Sequence, residues 1–264
     1  MASGATSSSG EVAFIFAPAD PAAHPRTMVP VNSSSSSAVP GTLLILGGGG
    51  HAWVVTEAAR ASGWRVLGFL DDDAAAEIDA GVPRLGALSD TALLSNTPVT
   101  SSAPGPAVAG DGPPATIIAI GSLATRGRLI GEMRGLFAIV RHPTALVSPS
   151  AKIGAGTFVG ANAVVQGRAS IGEHCIINTA AIVEHDCVLG RNVHIAPRAT
   201  LGGGVRVGHD TLIGLGASVR PGVKIGSGCT IGVGAAVVRD VPNNATVVGV
   251  PAKSVDWFSE GDGG

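Results

Sequence analysis

Tyrosine is absent from the 264 residues, and aromatic side chains as a whole make up 3%. Charged residues are scarce at 14% and nearly balanced, with a net charge of −2. That balance gives a nucleic acid or an anionic membrane surface little to attract, so neither is expected as a partner. Three cysteines are present, an odd number with no C-x-x-C spacing. They argue against a disulfide framework and fit a reducing compartment, so a cytoplasmic protein is expected. No apolar run approaches the roughly 20 residues of a membrane span. Glycine, in contrast, is plentiful at 39 residues. So much glycine with so little charge points to a repetitive, turn-rich backbone carrying small side chains.

Residues 1–40 contain "NSSSSS", several prolines and few charges. They read as a disordered N-terminal extension, without the arginines of a transit peptide or the basic start of a secretory signal. Met28 is a candidate alternative start. A first domain is expected over 41–141. "TLLIL" is a short buried strand, followed by a glycine run and an amphipathic helix over about 51–62 with Val54, Val55, Ala58 and Ala59 on one side. "RVLGFL" is a second strand, closed by three aspartates. This is a Rossmann-like βαβ pattern. "ATIIAIG" is a third strand and "ATRGRLIGEMRG" a helix after it, while 95–114, rich in Pro, Ser and Gly, reads as a loop.

From Val147 the pattern changes. Every sixth residue from Val147 to Val237 is Val, Ile or Leu, sixteen positions without a break. Two residues before each such anchor the side chain is usually small, as at Ala151, Thr157, Ala163 and Ala169. Glycine often follows the anchor and is expected to relieve the corner. A six-residue repeat is the mark of a parallel β-helix, in which three hexads make a triangular coil of 18 residues. The fold class is therefore α/β plus all-β, with a β-helix of about five coils over 142–242 and a C-terminal tail over 243–264. Cys175, Cys187 and Cys229 all fall on the small inward position, as packed hydrophobes.

One hexad breaks the apolar run. In "NTAAIVEHDCVLG" His185 stands between Glu184 and Asp186, with Val183 as inward anchor and Cys187 as the small inward residue. His185 can therefore project outward. It is either an exposed turn histidine or a base, since neutral imidazole suits proton abstraction near pH 7. Eighteen residues on, Gly203 in "LGGGV" should lie one coil directly above it, offering bare backbone amides. His194 is half a coil away and should face elsewhere within one chain. His174 and His209 read as surface turn residues, and His142 as packing at the junction between domains.

The hexads, with "GGGGHAWVV" before them, "NTAAIVEHDCVLG" within them and "VVGVPAK" after them, resemble a family of hexapeptide-repeat sugar acetyltransferases carrying an N-terminal nucleotide-sugar-binding domain. The resemblance covers about 41–255. It implies a left-handed β-helix, a homotrimer, acetyl-CoA as co-substrate and no metal. It implies that His185 is the general base with Asp186 orienting it. Gly203, His194 and Leu215 would lie on the acyl-donor side, and Gly48, Gly50, His51, Asp71 and Asp72 would bind the nucleotide sugar. One departure is that Ser122 and Leu123 follow Gly121, where family members often carry asparagine. Arg126 matches a commonly basic position. The function implied is N-acetylation of a UDP- or GDP-linked 4-amino sugar. The alternatives are O-acetylation of a sugar acid such as sialic acid, and a non-catalytic scaffold. A zinc lyase of this shape would need three converging histidines including a pair five apart, and none occurs between His174 and His209.

Overall fold

The computed structural model describes residues 41–79, 81–90, 114–133 and 135–255. The expected N-terminal extension, most of the expected loop and the end of the tail lie outside the described residues. The first domain is a four-stranded parallel sheet of β1 (Thr42–Leu46), β2 (Arg65–Leu70), β3 (Arg84–Gly86) and β4 (Ala115–Ile118), in the order β3-β2-β1-β4. Side chains alternate across a strand, so β1 serves two cores. Leu43 and Ile45 pack against α1 (Gly50–Ala61), and Leu44 and Leu46 against α2 (Leu123–Glu132). A sheet buried on both faces explains why "TLLIL" carries no polar alternation.

The inner face of α1 differs from the expected one. Ala52, Val55, Thr56 and Ala59 are buried, at the i, i+3, i+4, i+7 spacing of a helix face, while Val54 is 40% exposed. Val54 lies two positions from Ala52 and so points off that face.

The hexads build three flat walls of two-residue strands, each strand pairing in parallel with the one 18 residues on. Val183 pairs with Leu201, Leu189 with Val207 and Ile195 with Ile213. All the anchors from Val159 to Val237 are buried in one column-like core, with Val147 and Ile153 partly buried at the lower end. The inward small residues finish the prism. The thiols of Cys175, Cys187 and Cys229 donate to carbonyls of the next coil at Gly190 (3.1 Å), Gly202 (3.2 Å) and Pro242 (3.0 Å). Burial raises the Cys175 thiol to about 12 and Cys187 to about 11, so neither supplies a thiolate at neutral pH.

The glycines after the anchors do a different job from the one expected. The left-handed backbone lies three residues after the anchor, at Asn162, Arg168, His174, Ala180, Asp186 and Asn192. The glycines instead admit the next coil. A Cβ on Gly172 would stand 2.5 Å from the Gly190 carbonyl oxygen, and one on Gly214 2.5 Å from that of Ile231.

The first domain docks on one wall. Phe158 and Ile176 occupy outward positions of that wall, yet both are buried in the core shared with α1. His174 is accordingly buried rather than on the surface, edge-on to Phe137 at 4.5 Å. Its hexad alone could not reveal that cover, because Phe137 arrives from the chain segment leading out of the first domain. At the other end, Thr246–Val248 extends the same wall and Lys253–Ser254 turns back antiparallel on it.

Candidate active site

Two histidine-bearing regions stand apart, one at a corner of the prism and one where the first domain meets a wall. His185 follows the strand Ile182–Val183 and precedes Val188–Leu189, so it sits at the corner between two walls. His194 opens the strand His194–Ile195 on the third wall, one rung above the docked Ile176. Within one chain they do not meet, as the half-coil spacing requires.

At the corner the backbone is fixed from both sides. Asp186 N–H donates to the Gly167 carbonyl below at 3.1 Å, and Gly204 N–H from above donates to the His185 carbonyl at 2.8 Å. The imidazole itself is 61% exposed. Its Nδ1 lies 2.8 Å from Asp186 Oδ2. A carboxylate there accepts from Nδ1–H, leaving Nε2 with its lone pair. Asp186 stays ionised: its hydrogen bonds with Arg168 and then with His185 hold the carboxyl far below the usual range. Gly203 does lie on the coil above. A Cβ on it would come within 2.7 Å of His185 Cε1 and Nε2. The Nε2 edge therefore faces backbone free of side chains, an arrangement suited to taking a proton beside an exposed amide.

The second region lies where the first domain meets the third wall. His51, on the first turn of α1, stacks edge-on against Phe158 at 5.5 Å and stands 6.5 Å from the His194 ring. His194 Nε2 is 3.2 Å from the Asn178 side-chain nitrogen, and the Gly121 carbonyl accepts from its ring. Arg126 is buried, donating to the carbonyls of Ile120 (2.9 Å) and Asn192 (3.4 Å) and so tying α2 to the prism. Asn192 returns the link by donating to the Leu123 carbonyl at 3.1 Å. Burial first, and the Arg126 charge second, lower His51 to about 4 and His194 to about 3. Both rings are neutral at pH 7.

The four glycines that lead into α1, the last of them its first residue, divide into two pairs. Gly47 adopts a φ of +115°, and a Cβ on Gly48 would lie 2.7 Å from both Ala76 and Phe69. These two serve packing. Gly49 and Gly50 are exposed with open space around them. No side chain caps α1 and its first turn carries no acidic residue, so its N–H groups and dipole face outward without a resident anion of their own. The Gly48 N–H is already donated to Asp71 Oδ2 at 2.6 Å, and the other Asp71 oxygen accepts from Asp73 N–H at 2.8 Å. Asp72 Oδ1 accepts from Leu88 N–H at 3.0 Å. Ser122 caps α2 by accepting from Thr125 N–H. Leu215, 52% exposed, lies at the corner beyond the third wall.

Sequence reasoning left Arg168, Asn178 and Asn192 unassigned. Arg168 was open to detection, since it stands one coil-length before Asp186, while Asn192 meets its partners only through docking of the first domain. His209 does lie in an exposed turn, its Nδ1 accepting from Arg191 N–H at 2.9 Å. Among the described residues no group of three or more His, Cys, Asp or Glu is placed to hold a metal, and no helix is long and apolar enough to cross a membrane.

Residues 42–101 match the model of the PglD N-terminal domain. Residues 150–179 and 168–203 match the bacterial transferase hexapeptide, and 204–239 the hexapeptide repeat of succinyl-transferase. A comparison with curated proteins returned no match. Among solved structures, the acetyltransferase domain of PglB from Neisseria gonorrhoeae is 37% identical, with 81% of this chain and 99% of that one covered at a TM-score of 0.70. The same domain has been solved in complex with acetyl coenzyme A. PerB from Caulobacter crescentus, in complex with CoA and GDP-perosamine, is 39% identical, with 84% of this chain and 100% of that one covered at a TM-score of 0.71.

Proposed function

The chain belongs to the hexapeptide-repeat sugar acetyltransferases with a PglD-type N-terminal domain, and we propose that it moves an acetyl group from acetyl-CoA to the amine of a nucleotide-linked 4-amino sugar. The observation that carries this reading is the His185 corner, with a carboxylate on Nδ1 and the Nε2 edge against the bare Gly203 backbone. The amine attacks the acetyl carbonyl carbon as Nε2 takes its proton. The new C–N bond forms, the C–S bond breaks, and coenzyme A leaves as thiolate to receive a proton. The Gly203 N–H is the donor for the oxygen that becomes negative in between.

The prism turns left-handed, and the first domain is Rossmann-like in the way it offers a helix N-terminus to a ligand. The diphosphate of a UDP- or GDP-sugar lies at the open Gly49–Gly50 amides, beside His51. Gly48 and Asp71 shape that turn from behind, and exposed Asp72 faces the nucleoside. The neutral ring of His51 offers a hydrogen bond without charge beside that diphosphate. Because His185 lies on another edge, the reaction is completed between neighbouring copies, in a homotrimer. There the acyl donor lies in the cleft between prisms, with His194 and Leu215 on its second side. The protein works in the cytoplasm.

The test is release of free thiol from acetyl-CoA with GDP- and UDP-linked 4-amino sugars and with sialic acid as acceptors. Turnover with a nucleotide-linked amine is expected. Turnover with sialic acid alone would overturn the acceptor assignment, and none with any acceptor would overturn the function.

A further inference from the structure

We propose that Arg168 is a positioning residue for the base, fixing the plane of the Asp186 carboxylate so that His185 keeps Nε2 toward Gly203. This rests on His185 acting as the base. Arg168, Asp186 and Gly204 are equivalent positions on three successive coils, all with left-handed backbone. Stacking at an 18-residue interval therefore puts the arginine directly beneath the aspartate. Arg168 Nε–H donates to Asp186 Oδ1 at 2.6 Å and Nη2–H donates to Oδ2 at 2.7 Å. Two parallel bonds from one planar fork fix the orientation of a carboxylate as a single bond does not.

The fork matters because of the position of the dyad. A carboxylate rotates broadly about its last torsion. The imidazole is mostly exposed, so no packing holds it. Oδ2 accepts from both Arg168 Nη2–H and His185 Nδ1, so the ring takes its direction from an oxygen the arginine has already fixed. The main chain that carries the fork is tied down as well, the Arg168 backbone N–H donating to Ser150 Oγ on the coil below at 3.1 Å. The ionised carboxylate accepts from Nδ1–H and so selects the tautomer with a free Nε2. Lysine, with one point charge, would neutralise without fixing a plane.

The experiment uses the full chain with His185→Ala, Arg168→Gln, Arg168→Lys, Asp186→Asn and the double variant Arg168→Gln/Asp186→Asn. Turnover is measured with acetyl-CoA and GDP-perosamine, and the tautomer of the His185 ring by its nitrogen resonances at pH 9. R168Q should lower kcat about fivefold, the upper end for an exposed ion pair, with KM for acetyl-CoA unchanged. R168K should recover less than half of that loss. The ring should shift from the single Nδ1–H form to a mixture. In the Asp186→Asn background R168Q should change kcat less than about twofold, because the arginine acts through that carboxylate. A full additive loss there would overturn the proposal, as would a higher KM for acetyl-CoA at unchanged kcat, which marks an anion contact. So would a wild-type ring signal in R168Q. If His185→Ala turns over normally, the base assignment fails, and the ring spectra still decide whether Arg168 orients the dyad.

Discussion

The two histidine regions show how surroundings decide what an imidazole can do. At the corner, His185 is mostly exposed, tied to a carboxylate, and faces bare backbone. At the junction, His51 of the first domain and His194 of the third wall are largely buried near Arg126, and burial first, with that charge second, keeps protons off them. The first environment leaves Nε2 open to a reacting group. The second holds its rings neutral at pH 7. One residue type thus meets two opposite surroundings, at a corner of the prism and beneath a docked domain.

The sharpest way to break this contrast is His185→Ala. It should lower kcat by roughly 100-fold to 10,000-fold while leaving the melting temperature near wild type, since the ring buries little. Equal activity would remove the corner from the mechanism. Gly203→Ala comes next. Its methyl would meet the exposed ring rather than the core, so the ring moves and the fold does not. About a 100-fold loss of kcat is expected, because the displaced base no longer meets the acceptor, with thermal unfolding close to wild type. Normal turnover would show that the ring need not lie against Gly203.

In the glycine turn that leads into α1, paired substitutions sharpen the same division. Gly48→Ala drives a methyl into Phe69 and Ala76 and should destabilise the chain by about 1–3 kcal/mol, read by chemical denaturation. Gly50→Ala should leave stability unchanged or slightly raised, because alanine favours helix, and yet weaken GDP binding by calorimetry. Similar behaviour of the two would show that openness and packing are not separated there.

At the junction the contrast is read by pH. The unfolded chain binds protons at His51 and His194 near pH 6.5, while the folded chain holds them off until about 4 and 3. The unfolded state therefore carries more protons in that window, so stability is full above pH 6.5 and falls as pH drops through it, toward 4 for His51 and toward 3 for His194. The double variant His51→Asn/His194→Asn should flatten this slope in pH-dependent unfolding. An unchanged slope would place the buried imidazoles elsewhere in the balance.

What could be read in advance followed the repeat. A column of Val, Ile and Leu at every sixth residue sets the inward direction, and 18-residue arithmetic places Gly203 over His185. What escaped depends on contacts between distant segments. His174 looks like any turn residue until Phe137 covers it. Arg126 and Asn192, far apart in the chain, join only because α2 docks against the wall. Val54 was placed inward by hydrophobicity alone, although the helix turns it outward. The glycines after the anchors are set by the coil above them, a constraint that no single hexad displays.

The most direct test of the account is complementation between copies. His185→Ala and His51→Ala/His194→Ala chains, each inactive alone, would be co-refolded in equal amounts and assayed by thiol release. If the His185 corner and the His51–His194 junction that complete one site come from neighbouring chains, about one quarter of wild-type activity should return, the share of interfaces where an intact corner meets an intact junction. No recovery, in mixtures shown to contain both chains in one assembly, would contradict a reaction completed between copies.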